Sequence, residues 1–95
     1  MLVSRRTFTV KRGRIEEAVA LVKANREQIG GTHRIYVSIT GTFDTIALEF
    51  EGESVDEGIK AFAEYFATPE GAAFGKKWFD LTEPGGTNEM WALVE

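Results

Sequence analysis

Near the start of the chain, hydrophobic and polar positions alternate, and this period of two predicts a β-strand over residues 2–10. The apolar positions of one face are Leu2, Phe8 and Val10. The opposite face carries the polar positions Arg5, Thr7 and Thr9. From Ile15 to Ile29 the apolar residues instead recur every three or four positions, which predicts an amphipathic helix that Gly30 and Gly31 end.

Two further alternating segments, residues 35–40 and 46–50, lie on either side of the turn signal Thr40-Gly41-Thr42. Together they predict a β-hairpin. After the hairpin, the Ser54 hydroxyl is placed to accept a hydrogen bond from the Glu57 amide, which predicts the start of a second helix. The apolar stripe of this helix, which we expect to face the core, is Val55, Ile59, Phe62 and Phe66.

The last quarter of the chain predicts two more elements. Thr68 and Pro69 are typical of a helix start, with threonine as the N-cap and proline at the first helical position. A short helix is expected from there to about Lys77. Residues 87–95 alternate again and predict a final strand.

The elements follow the order β-α-β-β-α-(α)-β. Because a crossover between parallel strands is right-handed, a ferredoxin-like, split-βαβ arrangement satisfies this order. We therefore predict a single α+β domain over residues 1–95, with an antiparallel sheet in the order 4-1-3-2 and the helices on one face. The uncovered sheet face is too apolar to be left in water, which favours a homodimer. The expected dimer interface is Arg5, Tyr36, Glu49, Trp91 and Leu93.

Composition narrows the function classes. The chain contains no cysteine, so disulfides, thiolate nucleophiles and cysteine metal sites are excluded. No apolar run approaches the roughly 20 residues that span a bilayer, and the first residues lack the apolar segment of a signal peptide. We expect a cytoplasmic protein that makes no contact with membranes.

Charge is unevenly distributed along the chain. Residues 1–34 hold eight basic and three acidic side chains, whereas residues 35–95 hold three basic and twelve acidic ones. The basic run Lys11-Arg12-Gly13-Arg14 is compatible with a nucleic-acid contact, but nucleic-acid-binding domains are usually basic overall and this chain has a net charge of −4. We therefore expect no nucleic-acid partner, and we expect the basic and acidic halves to attract each other.

Two segments carry a resemblance to a known family. Residues 6–17, RTFTVKRGRIEE, join the end of a strand to a glycine and an acidic helix start, and Gly41-Thr42-Phe43-Asp44 precedes the strand segment IALEFE. In these features the sequence resembles the dimeric α/β-barrel superfamily, in its NIPSNAP-like or antibiotic-biosynthesis-monooxygenase-like branch. The resemblance implies two ferredoxin-like monomers packed sheet to sheet, with small molecules bound between helix and sheet.

The oxygen-using and haem-degrading relatives implied by this resemblance use an Asn on the first strand together with a Trp and a His on the helical side. Strand one of this chain has no Asn, and His33 lies in the loop after the two glycines. Trp78 alone stands in the matching region. The chain therefore departs from the oxygenase pattern, and we expect no cofactor.

Aromatic residues are concentrated in the second half of the chain. Phe74, Trp78 and Phe79 either fill the core or line a pocket between helix and sheet. Gly71 and Gly75 would weaken the short helix, so that it could move as a lid. The candidate ligand-binding residues are Arg6, Tyr65, Phe74, Trp78 and Asn88.

Two other groups have a functional and a structural interpretation. His33 is interpreted either as a metal ligand or general base, or more simply as a solvated loop residue. Because no second His and no Cys accompany it, we expect no metal site. Arg5 and Glu49 form either the polar floor of an interface cavity or a cross-strand ion pair, and we favour the ion pair.

Two functions from different classes follow. The first is a homodimeric protein that binds a small apolar or aromatic molecule in a helix-side pocket. The second is a cofactor-independent enzyme of monooxygenase or isomerase type, with unknown catalytic residues. An acid–base group inside the pocket would favour the enzyme.

Overall fold

The computed structural model describes residues 1–29 and 33–95, and of Ile29 and His33 it describes the backbone alone. Four strands form one sheet: β1 (Leu2–Thr9), β2 (His33–Val37), β3 (Thr45–Gly52) and β4 (Thr87–Ala92). Three helices accompany it: α1 (Ile15–Ile29), α2 (Val55–Phe66) and α3 (Pro69–Leu81). The two glycines predicted to end α1 lie outside the described residues.

The sheet order is β2-β3-β1-β4, and every neighbouring pair is antiparallel. This confirms the α+β class and the ferredoxin-like strand order. In this register Arg5 lies opposite Glu49 on β3, and Arg6 lies opposite Asn88 on β4. Because side chains alternate along a strand, these two neighbouring arginines point to opposite faces of the sheet.

The core lies between the sheet and the helices. Val10 and Ile46 from the sheet side and Val22 from α1 are fully buried there. Helix α3 contributes large side chains to the same core, and its buried residues are Gly71, Phe74, Trp78 and Leu81. Both predicted helix caps are present, since Ser54 accepts from the Glu57 amide and Thr68 from the Gly71 amide.

Several predicted boundaries were wrong. Helix α3 continues to Leu81 rather than ending near Lys77, because Leu81 is buried and its carbonyl accepts a hydrogen bond from the Lys11 amide. Strand β2 ends at Val37, since residues 38–44 form a loop longer than the predicted tight turn, with Asp44 at a φ of 57°. Strand β4 ends at Ala92.

The apolar stripe of α2 is less buried than its spacing predicts. Ile59 is 60% exposed and Phe66 is 41% exposed, whereas Tyr65 is the residue of this helix that is buried. The reason is that α3 fills the core space beside α2 with Phe74 and Trp78. Helix α2 therefore stands partly away from the sheet, and a cleft opens between them.

No helix in the described parts of the chain is both long and apolar enough to cross a membrane.

Candidate functional site

The cleft between the sheet, α2 and α3 is the candidate site. Its volume is about 220 Å³. It is lined by Arg6, Phe8, Leu48, Phe50, Phe62, Phe66, Phe74, Gly75, Trp78 and Phe79. Arg6 is the one charged residue in this lining, and the others are apolar side chains or glycine. Apolar walls with very few polar groups are typical of small-molecule pockets.

Aromatic contacts hold the walls of the cleft in place. The rings of Phe74 and Trp78 are stacked, with centroids 5.8 Å apart and 11° between the ring planes. Trp78 also receives the edge of Phe8 from β1 at 5.1 Å. At the mouth the lining turns outward, because Phe79 is 78% exposed. The cleft therefore has a packed floor and an open, aromatic rim.

Arg6 lies on the floor of the cleft. Its guanidinium carbon is 4.1 Å from the centre of the Phe62 ring and 6.0 Å from that of Phe50, within the range of cation–π contact. Its Nε atom is buried and has no hydrogen-bond partner among the described residues. Burial lowers the pKa of this guanidinium. Arg6 is thus a half-buried cation held by ring faces.

A second, smaller hollow of about 130 Å³ lies on the other side of Arg6, towards the N-terminal end of α2. Arg6, Phe50 and Phe62 line both spaces. Asn88 faces this hollow, where its side-chain carbonyl accepts a hydrogen bond of 3.1 Å from the Ser4 hydroxyl. The Arg6 side chain therefore separates an aromatic cleft from a more polar hollow.

The structure brings together four of the five residues predicted to bind a ligand. Arg6, Phe74 and Trp78 line the cleft, and Asn88 lines the adjoining hollow. Tyr65 lies elsewhere: its ring is buried and its hydroxyl donates to Asn25 of α1 over 3.1 Å. We therefore leave Tyr65 out of the candidate site.

Sequence reasoning missed the contribution of α2 to the cleft. Phe62 and Phe66 were assigned to the core, yet both line the cleft. Gly75 was interpreted as a weak point of its helix, but its missing side chain leaves space beside the Phe66 ring, which an added Cβ would meet at 3.7 Å. A glycine directly after Phe74, within the aromatic stretch that ends in Trp78 and Phe79, was the available signal.

The predicted lid is not supported by the way α3 is attached. Thr68 caps its first turn, and an isolated bridge between Val10 and Thr82 ties its C-terminal end to the chain after β1. Gly71 is buried against the Tyr65 backbone, so it serves close packing of α2 on α3. Helix α3 is therefore part of the core and not a loosely held flap.

The opposite face of the sheet carries a polar cluster around Glu49, whose side chain is only 6% exposed. Arg5 donates to its Oε2 atom from two nitrogens, and the Tyr36 hydroxyl donates to Oε1 over 2.9 Å. The predicted cross-strand ion pair is confirmed. The hydrogen bond from Arg5 lowers the pKa of Glu49, and the hydrogen bond to Glu49 raises the pKa of Tyr36.

His33 begins strand β2 instead of lying in a loop, opposite Phe50. Its side chain is outside the described part of the structure, so its predicted solvation stays a prediction. Among the described residues, no cluster of three or more His, Cys, Asp or Glu side chains could hold a metal ion.

No protein-family model matches the sequence, and no curated protein matches it significantly. Solved structures do share its fold. A NIPSNAP family protein of unknown function from Agrobacterium tumefaciens is 23% identical, with a TM-score of 0.83 over 96% of this chain and 86% of its own. An uncharacterized NIPSNAP domain protein from Burkholderia xenovorans is 15% identical, with a TM-score of 0.83 over 99% of this chain and 95% of its own.

A putative antibiotic biosynthesis monooxygenase from Chloroflexus aurantiacus is also similar in fold. It is 9% identical, with a TM-score of 0.75 over 99% of this chain and 93% of its own. At these identities the likeness establishes a common fold with the NIPSNAP and antibiotic-biosynthesis-monooxygenase structures. This is the fold that the sequence resemblance implied.

Proposed function

We propose that this protein binds a small apolar or aromatic molecule in the cleft between α2, α3 and the sheet, and that it does so as a homodimer. The observation that carries the proposal is a half-open cleft walled by aromatic rings, two of which, Phe66 and Phe79, stay exposed at its mouth. Aromatic side chains that only filled the core would be buried against one another and would not stay exposed around an open space. A bound ring would cover them.

The volume of the cleft supports a ligand of modest size. At about 220 Å³ it exceeds the roughly 150 Å³ of an engineered cavity that binds benzene, and it is smaller than the roughly 300 Å³ at which drug-sized pockets begin. One or two fused rings fit this range. The stacked pair Phe74 and Trp78 offers a flat wall against which such rings would pack.

The enzymatic alternative would need an acid–base group at the ligand. The described lining of the cleft offers Arg6, and a guanidinium remains protonated under ordinary conditions. We therefore favour the binding function. The monooxygenase- or isomerase-type activity and the cytoplasmic location both stay predictions.

Trp78 makes ligand binding measurable. In a Trp91→Phe background, Trp78 is the remaining tryptophan, and its fluorescence can be titrated with 1-naphthol, indole and 1,4-naphthoquinone. We expect a saturable change with at least one of them. Gly75→Leu should abolish that change, because the new side chain points beside Phe66 into the cleft without a backbone clash.

Ala73→Leu is the matched control, since it adds the same side chain to an exposed position of the same helix. It should leave the titration unchanged. If none of the three compounds produces a saturable change, or if Gly75→Leu and Ala73→Leu behave alike, the cleft is not the binding site.

The proposed dimer rests on the open face of the sheet. Trp91 on β4 is 54% exposed there, and Leu93 just beyond it and Tyr36 on β2, at the other edge of the sheet, are exposed too. Burying such side chains in both subunits would contribute roughly 25 cal/mol per Å² of apolar area. Sedimentation of Trp91→Glu tests this arrangement: we expect folded monomers, whereas a folded dimer would place the interface elsewhere.

A further inference from the structure

We infer that the ligand of the aromatic cleft is a monoanion, an aromatic carboxylate of one or two rings whose carboxylate pairs with the Arg6 guanidinium. The inference rests on the proposed function, because it concerns the occupant of that same cleft. It adds the chemical class of the ligand and the residue that selects it.

The first argument is the contrast between Arg6 and the other arginines whose partners the structure describes. Arg5 pairs with Glu49, Arg12 with Asp44, Arg14 with Glu17, and Arg34 with Glu51. Arg6 forms no ion pair or hydrogen bond with the described residues, although its Nε atom is buried.

Glu51 lines the hollow next to Arg6, but its carboxylate is held on the opposite side by Arg34 at 2.7 Å. The Glu51 carboxylate, which lines this hollow, is therefore already paired with Arg34. Since no carboxylate of the described residues pairs with Arg6, we infer that a ligand supplies the charge that neutralises it.

The second argument is energetic. A buried charge is costly unless it is paired and hydrogen-bonded, and a ring face compensates only part of that cost. The Nε–H group of Arg6 is a buried donor that lacks an acceptor among the described residues. A guanidinium presents a planar fork of donors that matches a carboxylate, so a carboxylate oxygen would satisfy this donor and the charge together.

The third argument concerns the net charge of the ligand. Arg6 is the one charged residue in the described lining of the cleft. A dianion such as a phosphate monoester would leave about one negative charge without a partner in an apolar space. A single cation among apolar walls therefore favours a monoanion with a hydrophobic body, which is the chemistry of an aromatic acid.

Isothermal titration calorimetry with 2-naphthoate and 2-naphthamide separates charge from shape, because the two probes share their ring system. We expect the wild-type protein to bind naphthoate at least about tenfold more tightly than naphthamide, as expected for a hydrogen bond between charged groups. Arg6→Met should remove this preference while still binding naphthamide. Arg26→Met, an exposed position on α1 with the same change in charge, should keep the preference.

Nuclear magnetic resonance of the Arg6 Nε–H group in the wild-type protein gives a readout that does not depend on any variant folding. Naphthoate should shift this resonance and naphthamide should not. Equal affinities for the two probes, or an unmoved Arg6 resonance on naphthoate binding, would overturn the inference and leave the proposed function standing. If neither probe binds, the inference fails, and the titrations with 1-naphthol, indole and 1,4-naphthoquinone decide separately whether the proposed function stands.

Discussion

Arg5 and Arg6 are neighbours on one strand, yet the two faces of the sheet treat them differently. On the open face, Arg5 donates to a nearly buried Glu49 that also accepts from Tyr36. On the helix face, Arg6 lies over the Phe62 ring with a buried nitrogen that has no partner among the described residues. The fold provides hydrogen-bond partners for the Arg5 guanidinium, whereas the Arg6 guanidinium keeps a buried donor that has none among the described residues.

The difference teaches where stability and binding reside in this small domain. A paired charge on the open face can pin strand register, since Arg5 and Glu49 are opposite each other on β1 and β3. An unpaired charge under aromatic rings contributes little to stability. Proteins keep such a buried charge mainly at functional sites, where a ligand can pair with it. Each face can be perturbed without touching the other, which makes the contrast testable.

The largest effect should come from disturbing the close contact between α2 and α3 beside the helix-side cleft. A Cβ at Gly71 would overlap the backbone carbonyl of Tyr65, so Gly71→Ala must push α3 away from α2. We expect a loss of about 3 kcal/mol in the free energy of unfolding, at the upper end for overpacking. Urea denaturation measures it. Gly58→Ala, whose Cβ meets nothing within 4 Å, should instead be neutral or stabilising, and equal losses in the two variants would contradict this account.

Next in size is the loss of Arg5. Arg5→Met leaves the Glu49 carboxylate with Tyr36 and with Arg34 at 3.7 Å. We expect a clear loss in the free energy of unfolding, smaller than that of Gly71→Ala because Arg5 is partly exposed. The double variant Arg5→Met/Glu49→Leu should recover part of this loss in the same denaturation experiment. Additive losses would mean that the pair is not coupled.

Acidification tests the open face in another way. Because the pKa of Glu49 is lowered in the folded state, its stabilising contribution is present above its ordinary value of 4.5 and is lost as the pH falls through the folded-state pKa. The stability difference between the wild-type protein and Glu49→Gln should therefore shrink below about pH 4.5. The pKa of Glu17 is lowered too, but Glu17 is present in both proteins and cancels. If the stability difference between the two proteins instead grows as the pH falls, the ionised form of Glu49 does not stabilise the fold.

The smallest effect on stability is expected for Arg6→Met. This change replaces an unpartnered, half-buried cation by an apolar side chain, so the free energy of unfolding should change by less than about 1 kcal/mol. The same denaturation curves that record the loss in Arg5→Met provide the comparison. A loss as large as that of Arg5→Met would show that Arg6 has a structural partner.

The contrast between the two arginines was accessible from the sequence, and so was a pocket beside Trp78, whereas the contribution of α2 to that pocket was not. Alternation along β1 placed Arg5 and Arg6 on opposite faces, and antiparallel pairing with β3 placed Glu49 opposite Arg5. Both conclusions follow from the two-residue alternation of side chains along a strand and from the order of the strands in the sheet. Helical periodicity chose wrongly between Tyr65 and Phe66 at the end of α2, because it predicted that Phe66 faces the core whereas the structure buries Tyr65.

That choice depends on tertiary contacts. Gly71 allows α3 to approach the end of α2 closely, and the Tyr65 hydroxyl finds Asn25 on α1. Once Tyr65 is buried, Phe66 is carried to the rim of the cleft. The space itself is what the packed residues leave unfilled, and a pattern of residue types along the chain does not contain that information.

The pairing of β1 with β4 has a consequence during synthesis. Ser4 and Asn88, joined by a hydrogen bond across these strands, are 84 positions apart in the chain. A ribosome therefore makes β1 early but must complete nearly the whole domain before the second edge of that strand can be paired. During that interval one edge of β1 is unpaired, and an unpaired strand edge is open to pairing with another chain. Release of the C-terminal strand from the exit tunnel is then the event that completes the sheet.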